Sequence, residues 1–68
     1  MRRIDSLRYI KNTAGGATAA DFKEDWRPVG DMEWGLLVRD NLVEERDGKI
    51  FLTDKGGQRL IELEEKQL

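Results

Sequence analysis

Two carboxylates, Asp21 and Asp25, have a spacing that could support acid–base chemistry, because residues four apart share one face of a helix. Acid–base catalysis needs one carboxyl group to be buried with a raised pKa. The stretch around both residues is polar, so we expect both side chains to be solvated. Gly56-Gly57 lacks the Lys-Ser/Thr ending of a phosphate-binding loop. We therefore predict that the protein is not an enzyme.

The composition removes the commonest ligands for metals and cofactors. The 68 residues include no cysteine and no histidine, which excludes disulfides, thiolate metal sites and a histidine base. The acidic residues do not follow the spacing of a calcium-binding loop. We predict that the chain holds no metal and no cofactor.

The length predicts one domain, residues 1–68, because so short a chain cannot form two hydrophobic cores. No apolar run approaches the roughly 20 residues of a membrane span. Met1 and two arginines are not followed by the hydrophobic segment of a secretory signal. These features predict a soluble, cytoplasmic protein.

The net charge of −2 is unevenly distributed along the chain. Residues 1–30 contain six basic and four acidic side chains, whereas residues 31–68 contain six basic and ten acidic ones. A nucleic-acid-binding domain usually has an excess of basic residues. The overall charge therefore argues against a nucleic-acid partner.

Apolar spacing predicts helices in the first 40 residues. Ile4, Leu7 and Ile10 form one stripe of a first helix, which the glycines at 15 and 16 end. Thr18-Ala19-Ala20-Asp21 has capping-box spacing and predicts a second helix over 19–26.

A third helix is predicted over 31–40, after the break at Pro28. Asp31 is its expected N-cap. Trp34, Leu37 and Val38 are its expected buried stripe.

Turn signals divide the second half of the chain. Asn41 is expected to end the third helix in the left-handed conformation. Asp47-Gly48 is typical of a two-residue hairpin turn. Thr53 or Asp54 is the expected cap of a last helix, in which we expect Gly56 and Gly57 to allow close packing of another backbone. The sequence leaves open whether a third short strand precedes the second helix.

The predicted fold is mainly α with a small β-hairpin, in the order helix–helix–helix–hairpin–helix, which is a winged helix-turn-helix. The stretch from Asn41 to Gly56 resembles winged-helix regulators of the multiple-antibiotic-resistance (MarR) and PadR groups. Those groups show a Gly-Leu-Val step, a charged hairpin, then Leu-Thr-x-x-Gly and a leucine four residues later. The last element is matched by Leu52, Thr53, Gly56 and Leu60, whereas Asn41 replaces the usual glycine.

The resemblance implies a small DNA-binding regulator of transcription. Its reading helix would cover about residues 31–40 and its wing about 43–53. The outward face of that helix would carry Asp31, Met32, Gly35, Leu36 and Arg39. The DNA contacts that the resemblance implies are Arg27, Arg39, Arg46 and Lys49.

The alternative function is a protein–protein interaction module with a winged-helix fold that does not bind DNA. Met32 and Leu36 would form an apolar strip on the outward face and favour this alternative. Trp26 and Trp34 have helical spacing with Phe22 and Leu37, so we expect them to pack in the core.

The last helix predicts a possible homodimer. Ile61, Leu63 and Leu68 extend its apolar surface beyond what one small core can cover. Two-fold pairs are the commonest oligomers, so a symmetric dimer through this helix is the expected assembly.

Overall fold

A computed structural model describes residues 2–67 as four helices and one antiparallel hairpin. The elements in chain order are α1 (Arg3–Asn12), α2 (Ala19–Asp25), α3 (Gly30–Arg39), β1 (Val43–Arg46), β2 (Lys49–Leu52) and α4 (Asp54–Lys66). This order confirms the predicted layout, so the fold is a winged helix-turn-helix that is mainly α. Within residues 2–67, every helix is too short or too polar to cross a lipid bilayer.

The start of α2 is set by the predicted capping box. The Thr18 hydroxyl accepts a hydrogen bond from the Asp21 backbone N–H at 3.1 Å, and the Asp21 carboxylate accepts one from the Thr18 N–H at 3.0 Å. Two of the helix's free N–H groups are thereby paired. α2 ends at Asp25, one residue earlier than predicted.

The start of α3 differs from the prediction. Its N-cap is Val29 and not Asp31, and no side chain caps the helix. Asp31 lies inside the first turn, where a negative charge interacts favourably with the positive end of the helix. A Cβ on Gly30 would lie 2.5 Å from the Lys23 carbonyl oxygen, so glycine lets α3 begin against the backbone of α2.

The core lies between the four helices and the hairpin. Its buried apolar side chains are Ile4, Leu7, Ile10, Ala17, Phe22, Trp34, Leu37, Leu42, Val43, Ile50 and Leu60. The expected burial of Val38 was wrong, because its side chain is 51% exposed. Glu33 takes the inward position instead, since Arg3 and Ser6 of α1 pair with its carboxylate.

The end of α3 is joined to both the hairpin and α4. Asn41 is left-handed, with φ of 59°, which confirms the predicted helix end. The Thr53 hydroxyl donates to the Asn41 carbonyl at 2.7 Å, and the Thr53 N–H donates to the Leu42 carbonyl at 3.1 Å. A Cβ on Gly56 would lie 1.9 Å from the Leu42 carbonyl oxygen, so the predicted close packing holds there. It does not hold at Gly57, where a Cβ would meet nothing within 4 Å.

The hairpin is a short wing in which Val43 pairs with Leu52 and Arg46 with Lys49. Its turn residues, Asp47 and Gly48, both have positive φ, as a tight two-residue turn requires. No third strand is present among residues 2–67, although the segment before α2 does contact the wing. There the Ile50 N–H donates to the Ala17 carbonyl at 2.9 Å.

Candidate nucleic-acid interface

The outward face of α3 is centred on Gly35. At about 100° per residue, Asp31 and Arg39 lie about 40° to either side of Gly35, and Met32 and Val38 about 60° to either side. All five residues are exposed. Leu36, which was predicted to share this face, is half-buried, and Val38 lies there instead.

Arg39, the last residue of this face, lies beside the Asp40 carboxylate, which also interacts with other basic side chains. Its Nε donates to Asp40 Oδ1 at 3.1 Å, and a guanidinium nitrogen of Arg3 lies 3.7 Å from Asp40 Oδ2. The hydrogen bond from Arg39 lowers the pKa of Asp40, and the charges of Arg39, Arg3 and Lys55 lower it further. Arg39 and Arg3 therefore lie against the Asp40 carboxylate where α3 ends, and Lys55 is close enough for its charge to act on it.

The wing carries two of the predicted DNA-contact residues side by side. Arg46 and Lys49 are direct cross-strand partners, so their side chains project from the same face. The guanidinium of Arg46 lies 4.1 Å from the ring centroid of Phe51, and its Nε lies 3.2 Å from Glu44 Oε1. Within residues 2–67, no carboxylate oxygen lies within 4 Å of the Lys49 ammonium. Lys49 is therefore the wing cation with no acidic partner there.

A polar cleft separates the wing from the start of α4. It is lined by Asn41, Glu44, Arg46, Leu52, Thr53, Asp54 and Lys55. Lys55 thus shares a cleft with Arg46 and also acts on Asp40, beside Arg39. Sequence reasoning missed Lys55. Lys55 is the second residue of α4, and Thr53, just before α4, is hydrogen-bonded to Asn41 and Leu42 after α3. Its place at the start of the last helix was therefore the signal that could have identified it.

Arg27 lies apart from the other predicted contacts. It precedes α3, whereas Arg39 ends it, and ten helical residues span about 15 Å. A guanidinium nitrogen of Arg27 lies 3.1 Å from Glu24 Oε1, and both side chains are well exposed. The structure therefore brings Arg46 and Lys49 together on the wing, and it leaves Arg39 and Arg27 at opposite ends of α3.

The two carboxylates with acid–base spacing serve local structure. Asp21 belongs to the capping box, and Asp25 accepts a hydrogen bond from the Tyr9 hydroxyl at 2.5 Å. Burial of Tyr9, followed by this hydrogen bond, raises the pKa of Tyr9 to about 12. Both carboxylates lie on exposed residues.

The two tryptophans pack as expected from their helical spacing. Trp34 is buried in the core, and Trp26 is half-buried against it. Phe22 lies between them, with ring centroids 5.7 Å from Trp34 and 6.4 Å from Trp26. These rings belong to the interior and are not presented to a nucleic-acid base.

Comparison of the chain with protein-family models and with curated proteins finds no match. The class of the protein is therefore defined by its fold alone. The fold is a winged helix-turn-helix, whose wing has two strands of four residues each and is followed by α4.

Proposed function

We propose that the protein is a small DNA-binding winged-helix regulator of transcription, similar in kind to the MarR and PadR groups, and that it acts in the cytoplasm. The observation that carries the proposal is the pairing of Arg46 with Lys49 on the wing. In winged-helix proteins one helix enters the major groove while the wing contacts the backbone nearby. Arg39, at the exposed end of α3, is the side chain best suited to a base or a phosphate.

The acidic partners of these arginines do not prevent phosphate binding. Arg39 is paired with Asp40, and Arg46 with Glu44, in contacts whose arginine side chains are more than 60% exposed. Exposed ion pairs of this kind contribute about 0.2–1 kcal/mol, so a phosphate can displace the carboxylate at small cost. The expected binding is weak.

The charges also favour one end of α3. Asp31 at its start would repel phosphates, whereas Arg39 at its end is accompanied by Lys55 and Arg3 around Asp40. We therefore place the duplex against the C-terminal half of α3, the wing and the start of α4. Arg27 would contact DNA only if the duplex also reached the other end of the helix.

Titration of a labelled random-sequence duplex by fluorescence polarisation tests the proposal. We expect weak binding with a shallow dependence on salt, because few phosphates are neutralised. Arg46→Gln and Lys49→Gln should each reduce the salt slope by about one unit, whatever the sequence. Arg59→Gln is the matched control, because Arg59 is a half-exposed arginine of α4 whose acidic partner, Glu62, lies on the same helix.

Arg39→Gln tests the reading helix separately. If Arg39 reads guanine, its loss should cost about 1–3 kcal/mol at one base position and relax specificity there. Absence of binding at about 50 mM salt, where phosphate contacts are strong, would contradict the DNA proposal. An equal loss in Arg59→Gln would contradict the assignment to the wing.

A second candidate function is protein docking through the outward face of α3. Of the three large apolar side chains that are exposed among residues 2–67, Met32 and Val38 lie on this face. Met32→Gln separates the two functions, since it removes apolar surface without changing charge. DNA binding through the wing should keep its salt slope in this variant, whereas binding of a protein partner should weaken.

The homodimer through the last helix also stays a proposal. Ile61 is 49% exposed on α4, whereas Leu63 packs against the core, so the available surface is narrower than the sequence indicated. Leu68 lies outside the described residues. Light scattering of Ile61→Glu beside the parent protein tests this interface. A mass that Ile61→Glu does not change would exclude it.

A further inference from the structure

The outward face of the wing contains an aromatic ring that lies outside the core. Phe51 follows Lys49 by two residues in β2, and Lys49 is the cross-strand partner of Arg46, so the three side chains project from one face. Ile50 projects from the opposite face and is fully buried. Among residues 2–67, Phe51 does not belong to the partly buried apolar side chains that pack against the core.

Two neighbours make the Phe51 ring half-buried although it faces outward. The guanidinium carbon of Arg46 lies over the ring, 4.1 Å from its centroid. Two ring carbons lie 3.9 Å from the position that a Cβ on Gly15 would occupy, so the ring also rests against the loop between α1 and α2. The Ile50 N–H donates to the Ala17 carbonyl in the same loop, at 2.9 Å. The ring therefore lies between a loop that is bonded to β2 and a flexible arginine.

We propose that Phe51 is a positioning residue of the surface that binds DNA. Its ring holds the Arg46 guanidinium over the outward face of the wing, where the phosphates of a duplex can reach it. Phe51 acts through Arg46 and not by contacting the duplex itself. This inference rests on the DNA-binding function proposed above.

An aromatic ring holds an arginine without neutralising its charge. The face of the ring attracts the cation through its quadrupole, so the full positive charge of Arg46 remains available to a phosphate. An arginine side chain also has many rotamers, and fixing one of them when a ligand binds costs entropy. A side chain that is already held loses less freedom on binding, which favours the complex.

The neighbouring carboxylate acts on the same guanidinium in the opposite sense. Glu44 Oε1 lies 3.2 Å from Arg46 Nε, and both side chains are exposed. This carboxylate competes with a phosphate for Arg46, whereas the Phe51 ring does not. Glu44→Gln should therefore strengthen duplex binding, and Phe51→Leu should weaken it about two- to fivefold, the range that an exposed cation–π contact supplies.

Nuclear magnetic resonance of the protein without DNA tests the contact itself. Protons over the face of an aromatic ring resonate upfield, so the side-chain protons of Arg46 nearest its guanidinium should be shifted upfield in the parent. Phe51→Tyr should keep these shifts, because it keeps the ring. Phe51→Leu should return them to the values of an ordinary exposed arginine.

Polarisation titration of the same variants with a random-sequence duplex tests the consequence for binding. Phe51→Tyr should bind within about twofold of the parent, because tyrosine also provides a face for a cation. Phe51→Leu keeps an apolar side chain but lacks that face, so it should show the two- to fivefold loss. Circular dichroism melting checks that each variant is folded, and the spectrum of the parent decides the geometry even if Phe51→Leu is not.

A double-mutant cycle separates positioning from a merely structural role. In an Arg46→Gln background, Phe51→Leu should cause no further loss of affinity, because the side chain that it positions is gone. Lys49→Gln is the matched background, since Lys49 is the cross-strand partner of Arg46. There Phe51→Leu should keep its full effect. A ring that only stabilised the wing would weaken binding equally in both backgrounds.

The outcomes distinguish failure of this inference from failure of the proposed function. Ordinary Arg46 shifts in the parent, equal losses from Phe51→Leu in the two backgrounds, or weaker binding in Glu44→Gln would each overturn the role of Phe51 while leaving DNA binding intact. A parent with shifted Arg46 protons that binds no duplex would instead overturn the proposed function, and with it the role of Phe51.

Discussion

The two faces of α3 contain similar residue types in opposite environments. The inward face has Gly30 and Glu33, and the outward face has Gly35 and Asp31. Gly30 is held against the α2 backbone, whereas Gly35 faces open space. The Glu33 carboxylate accepts hydrogen bonds from Arg3 at 2.9 Å and Ser6 at 2.7 Å, whereas the outward acid, Asp31, is almost fully exposed.

This difference separates residues that the fold requires from residues that have no evident role in folding. Each inward side chain, and the absence of one at Gly30, has a contact that explains it. On the outward face, the apolar Met32 and Val38 cost solubility and contribute nothing to the core. Protein docking through that face, the second function proposed above, would give these residues a role that the fold does not give them.

Truncation of one apolar side chain on each face should give the largest contrast. Leu37→Ala removes a fully buried side chain and should cost about 2–5 kcal/mol, through lost burial and the cavity left behind. A domain of this size has about 3–5 kcal/mol in reserve, so the variant should be largely unfolded at body temperature. Val38→Ala, one residue later, should change stability by less than about 0.5 kcal/mol. Urea denaturation at low micromolar concentration measures both, and equal losses would break the comparison.

Alanine at the two glycines should shift stability in opposite directions. Gly30→Ala forces a Cβ against the Lys23 backbone, and the resulting displacement of α2 should cost about 1–3 kcal/mol. Gly35→Ala should instead stabilise the monomer by about 1 kcal/mol, because alanine favours the helix. Thermal melting at a concentration too low for dimers tests the pair. A destabilised Gly35→Ala would mean that this glycine has an intramolecular role.

Removal of the inward acidic side chain should also cost more stability than removal of the outward one. Glu33→Ala leaves the buried Ser6 hydroxyl and the Arg3 guanidinium without their shared partner and should cost about 1–3 kcal/mol. Asp31→Ala removes an exposed ion pair and a favourable helix-end charge, so its cost should stay below about 1 kcal/mol. Chemical denaturation of both variants under one set of conditions compares them.

Alkaline pH should act on the interior and spare the outward face. The pKa of Tyr9 is raised from its ordinary value of 10.0 to about 12 in the folded protein, mainly because the side chain is partly buried. Between those values the unfolded chain loses the hydroxyl proton and the folded chain keeps it. The stability that this group contributes is therefore complete below pH 10.0 and is lost as the pH rises to about 12.

Tyr9 is the only tyrosine of the sequence, so ultraviolet absorbance reports its ionisation directly. Asp25→Asn should lower this pKa but leave it above 10.0, because burial is the larger cause. Asp31→Asn, on the outward face of α3, is the control and should leave the titration unchanged. A tyrosine that titrates at its ordinary pKa in the parent would contradict the packing of α1 against α2.

The predictions from sequence succeeded where a preference acts over a few residues. The Thr18–Asp21 capping box, the left-handed Asn41 and the Asp47-Gly48 turn each depend on backbone geometry within four positions. These signals set the order of the elements and therefore the fold. The prediction for Val38 failed because the local sequence does not decide which face of the helix an apolar residue next to Leu37 occupies.

The sequence by itself determined the order of helices and hairpin, their turns and caps, and the absence of cysteine and histidine chemistry. Only the tertiary structure decided that Glu33 faces inward and Val38 outward, because the partners of Glu33 are 27 and 30 residues away on α1. It likewise brought Lys55 to the end of α3, through hydrogen bonds from Thr53 to Asn41 and Leu42. Contacts between residues distant in the chain depend on how whole helices pack, and no local preference encodes them.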